Sequence, residues 1–84
     1  MKETLLQNLV MEAGLCYISD LHDSSQTESV YAAVSRLSPD EYLLEEWEEA
    51  VGYILGQKEE RFKTSKSAWH FLRQALRQEL MIHI

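Results

Sequence analysis

Apolar residues recur at steps of three and four in four separate stretches of the chain, and no stretch alternates with the period of two that marks a half-buried strand. The pattern predicts an all-α fold, a single small four-helix domain over residues 1–84 with helices near 3–21, 26–36, 39–56 and 65–81. In the first stretch Leu5, Leu6, Leu9, Val10, Ala13, Cys16 and Tyr17 share a face, while Met11, Leu15 and Ile18 form a second stripe nearly opposite. A helix that is apolar on two sides needs two neighbours. The stripe is therefore either covered by other helices or a contact surface for a partner protein or a second copy. In the second stretch Val30, Ala33, Val34 and Leu37 line one side, and Ser25 with Glu28 reads as a capping box.

The third stretch, SPDEYLLEEWEEAVGYILG, carries the strongest punctuation. Ser38 and Glu41 have capping-box spacing, Pro39 suits the first helical position, and Gly56 suits a left-handed stop. Leu43, Leu44, Trp47, Ala50, Val51, Ile54 and Leu55 make its apolar side, and Trp47, Leu44 and Val51 are expected in the core with Leu72 and Leu76. Glu41, Glu45, Glu48 and Glu49 fall on the other side, either as a solvated face or as an acidic docking surface. In the fourth stretch Thr64 or Ser65 can cap a helix whose apolar face includes Ala68, Trp69, Phe71, Leu72, Leu76 and Leu80. Lys66, His70, Arg73 and Arg77, spaced four, three and four, make a basic stripe beside it. Positive charge toward a C-terminus also suits the helix dipole, which is the ordinary explanation for such a stripe.

Charge changes the picture because it is unevenly divided. The formal net charge is −6, but residues 61–84 hold five bases and one acid, whereas residues 39–60 hold eight acids and one base. Overall acidity opposes generic nucleic-acid binding, since phosphates repel such a chain, and leaves only the C-terminal basic stripe for it. The acidic third helix likewise excludes a helix-turn-helix that would insert it into the major groove. A single cysteine cannot form an internal disulfide, no apolar run approaches the ~20 residues that span a bilayer, and MKETLLQNLV lacks a signal-peptide core. A cytoplasmic protein without membrane contact is expected.

No catalytic constellation is legible. Cys16 sits on an apolar face with nothing basic beside it to favour the thiolate. Asp20, His22 and Asp23 crowd one turn, but their spacing matches neither a zinc site nor an EF-hand loop. His70 and His83 have no partner carboxylate at a motif spacing, and there is no phosphate-binding glycine loop or nucleophile elbow. The expectation is a non-enzyme without metal or cofactor.

The order of helices, the length and the segment SAWHFLR resemble the Hha/YmoA family of small helical modulators of gene silencing, over roughly the last 65 residues. The resemblance implies action through a nucleoid or DNA-bound protein. Where that family has an Ala-Ala-Asp-His stretch this chain has EEAVGYILG, so no site residue is carried across. Two functions are thus expected from the sequence. The first is a small protein-binding regulator or adaptor working through its helix surfaces, and the alternative is a modulator of transcription of the Hha/YmoA kind.

Overall fold

A computed structural model describes residues 4–56 and 61–82. Among these there are four α-helices and no strand: α1 (Leu5–Ala13), α2 (Thr27–Arg36), α3 (Leu44–Leu55) and α4 (Ser65–Ile82). Short 3-10 turns lie at Ile18–His22, Ser24–Gln26 and Pro39–Glu41. The helices meet in ring order, α1 against α2, α2 against α4, α4 against α3 and α3 against α1, and diagonal neighbours barely touch. One core fills the ring. Leu5 and Leu9 meet Val30, Ala33 and Val34, Trp47, Ala50, Val51 and Ile54, and Ala68, Leu72 and Leu76 there, with Leu21 from the first 3-10 turn. Of the expected core residues Leu44 is the exception, being half-buried at the edge.

The second and fourth helices fall where the periodicity places them. Thr64 caps α4, its Oγ1 accepting from the Ser67 N–H at 3.1 Å. The first helix is much shorter than the expected 3–21. Thr4 and Gln7 cap α1 reciprocally at its start. Gly14 takes φ +71°, donates to the Met11 carbonyl, and leaves Leu15 N–H to reach the Val10 carbonyl at 2.9 Å. This pair of bonds is a Schellman stop, and the left-handed residue it needs is cheap only for glycine. Leu15 and Val10, which such a stop commonly brings together, are both half-buried against the core.

Both expected N-terminal boxes are also corrected. Ser25 turns back, its N–H and Oγ–H both donating to Asp23 Oδ1, so α2 starts behind Gln26 without a side-chain cap. Ser38 makes no side-chain cap; Pro39–Glu41 is a single 3-10 turn, and Tyr42 and Leu43 are extended before α3 begins. The reason lies in Trp47. Its fully buried indole N–H requires an acceptor, and the Pro39 carbonyl supplies one at 2.9 Å. Tyr42 packs edge-on against the same indole, takes a hydrogen bond from Asn8 on its hydroxyl, and accepts from Ser65 Oγ on its carbonyl. A continuous helix from residue 39 would have an intrahelical use for the Pro39 carbonyl, which here faces the indole.

Candidate functional site

The three surfaces singled out in the sequence fare differently. The stripe of Met11, Leu15 and Ile18 does not exist as one helix face, because α1 ends at Ala13. Met11 is 64% exposed on α1, Leu15 is half-buried beyond the glycine stop, and Ile18 opens a 3-10 turn. Cys16, expected on an apolar helix face, is exposed in the same connection.

The acidic face divides by use. Glu41 is not on the helix but in the 3-10 turn before it. Glu46 rather than Ser38 caps α3, one carboxylate oxygen accepting from Leu43 N–H at 3.2 Å, and its other oxygen lies 3.4 Å from the N–H of Leu5 at the start of α1. Glu48 accepts from Phe62 N–H at 2.9 Å and ties the lead-in of α4 to α3. Glu41, Glu45 and Glu49 remain exposed. Asp20 and Asp23, the acids of the first loop, likewise serve turns, accepting from Tyr17 and Ser25. The side chain of His22 and the whole of His83 lie outside the described residues.

The basic stripe is the surface the fold elaborates. On α4 successive residues rotate by about 100°, which places Lys66, His70, Arg73 and Arg77 within one narrow arc and the helix's acid, Glu79, on another side. That arc borders the seam with α2. Trp69 locks the seam, its indole N–H donating to the Val34 carbonyl at 2.8 Å. Arg73 lies over the Trp69 ring at 4.6 Å and near the Tyr31 ring at 5.9 Å, and its Nε–H donates to Ser35 Oγ at 3.2 Å. His70 meets the Trp69 ring edge-on at 4.9 Å. Tyr31, His70, Arg73, Gln74 and Arg77 together line a shallow depression of about 140 Å³. Lys66 is exposed but lies outside it, about 10 Å further along the helix axis than Arg73.

Two properties set this groove apart. First, among the described residues no carboxylate lies within ion-pair distance of Arg73 or Arg77; the ion pair there is Arg36–Glu12 at 3.6 Å, on the α1 side of α2. Second, the dipole explanation fails, because the last turn of α4 has no basic residue and Lys66 sits in the first turn, at the unfavourable end. Tyr31, Ser35 and Gln74 were not among the sequence-predicted site residues. The Trp69–Arg73 pair has the i, i+4 spacing that brings side chains together on one helix. Tyr31 and Ser35 share that spacing, but only the docking of α2 on α4 places them opposite it.

No helix among the described residues is long and apolar enough to cross a membrane. No family model matches the chain, and no curated protein or solved structure matches it either. The likeness to the Hha/YmoA family thus stands on the quoted residues alone.

Proposed function

We propose that this chain is a small non-catalytic regulator or adaptor that docks an acidic segment of a partner protein in the groove between α2 and α4. One observation carries the reading. Arg73 is held in place by Ser35, Trp69 and Tyr31, yet no carboxylate of the fold neutralises it among the described residues. A cation fixed before binding loses little side-chain entropy when a ligand arrives, so it is suited to recognition. The size of the depression supports a side-chain-sized anchor, since pockets that enclose a small-molecule substrate run to about 300–1,000 Å³.

A glutamate-rich peptide titrated at low salt into the isotope-labelled protein tests this. The resonances expected to move are the Trp69 indole and the amides of His70, Gln74 and Arg77, while those of α3 stay still. Shifts confined to another surface, or none at all, would end the reading. The second reading, contact with DNA or a DNA-bound protein, is favoured by Arg61, Lys63 and Lys66, all exposed and leading into the same helix. Duplex binding that falls steeply with salt is its signature.

A further inference from the structure

We infer that the anchor taken by this groove is a phosphate monoester, carried on a phosphorylated side chain of the partner segment. The inference rests on the groove reading above and narrows it. A carboxylate carries one charge and about four acceptor sites on its two oxygens, two of which a single forked guanidinium takes. Here Arg73, Arg77 and His70 border one depression together with the neutral donors of Gln74 and Tyr31. That donor set exceeds what one carboxylate accepts. It matches a group with about −1.5 to −2 charge at pH 7 and three acceptor oxygens. Arg73 is already committed through Nε to Ser35, which leaves its two Nη groups as the free fork. The Trp69 ring, 4.6 Å from the Arg73 Cζ, supports the guanidinium from one side. Arg77, one turn further on and exposed, supplies a second fork. The volume of about 140 Å³ admits such a group but not a whole nucleotide-sized ligand.

The test uses the full chain and a matched set of short glycine-rich peptides whose central residue is phosphoserine, glutamate or serine. The phosphoserine peptide is expected to shift the Trp69 indole, the Arg73 Nε–H and the Gln74 side-chain amide saturably, with affinity about tenfold or more above the glutamate peptide, as one further charge-assisted hydrogen bond gives. Inorganic phosphate is expected to displace it from the same resonances. Arg77→Gln should weaken phosphopeptide binding by about tenfold while the Trp47 indole resonance and the melting curve stay as in the wild type. Arg73→Lys, which keeps the charge but loses the fork, should weaken it too. Equal binding of the glutamate peptide would overturn the phosphate assignment and leave the acidic-segment reading standing. If neither anionic peptide moves the groove resonances, both fall. A short duplex DNA that binds the groove more tightly than the phosphopeptide, with a steep salt slope, would overturn the peptide assignment in favour of nucleic acid.

Discussion

The two charged sides of this molecule look alike as sequence and differ as structure. On α3 a run of glutamates faces outward, but Glu46 and Glu48 hold backbone N–H groups of α1, α3 and the α4 lead-in, so part of the acidity is a fastening. On α4 Arg73 ties into α2 through the Ser35 hydroxyl and the Tyr31 ring, but it satisfies no backbone group among the described residues. Arg77 and His70 are exposed, and no carboxylate is drawn to the three among the described residues. Charge that satisfies the fold's own orphan groups needs no partner to explain it. Charge that is positioned and left unneutralised is what the proposed docking of an anionic partner rests on.

The sharpest way to break the comparison is on the α3 side. Trp47→Ala removes a fully buried ring and leaves the Pro39 carbonyl without its donor, and should destabilise by about 3–5 kcal/mol. A cooperative melt near that of the wild type would mean the ring is not the centre of the core. Glu46→Ala should follow at about 1–2 kcal/mol, because it uncaps α3 and removes the acceptor facing Leu5; chemical denaturation reads this directly. Glu48→Ala should lie near 1 kcal/mol, with faster amide exchange at Phe62. On the other side Arg77→Gln should change stability by no more than about 0.5 kcal/mol, since the residue is exposed and away from the core. If Glu46→Ala and Arg77→Gln were equally mild, the distinction between fastening and unassigned charge would fail.

How far this was legible in the sequence depended on whether a signal was local. Residues Val30, Ala33 and Val34, and Ala68, Leu72 and Leu76, follow one helical period without interruption, and α2 and α4 appear within a residue of expectation. Gly14 is a local stop signal as strong as Gly56, but the apolar residues beyond it kept the period and masked it. Ser38 and Glu41 carry the spacing of a capping box, yet the Trp47 indole claims the Pro39 carbonyl across eight residues. No residue-by-residue pattern reports such a claim. For the groove the cations were legible as a stripe, while Tyr31 and Ser35 became visible only when α2 docked, because their relation to Arg73 spans nearly half the chain.

Glu46 has one more consequence, in time rather than in energy. Its carboxylate joins the N-terminal ends of two helices, reaching Leu5 across 41 residues of chain. Neither local helix formation nor the turn between neighbours can make that junction, which waits until the ring of helices has closed. The Leu5 amide should therefore gain protection late in refolding, after the Leu43 amide, whose bond to Glu46 is local to α3. Pulse-labelled hydrogen exchange would follow the two amides, and the last event of folding would be recorded at the first turn of the chain's first helix.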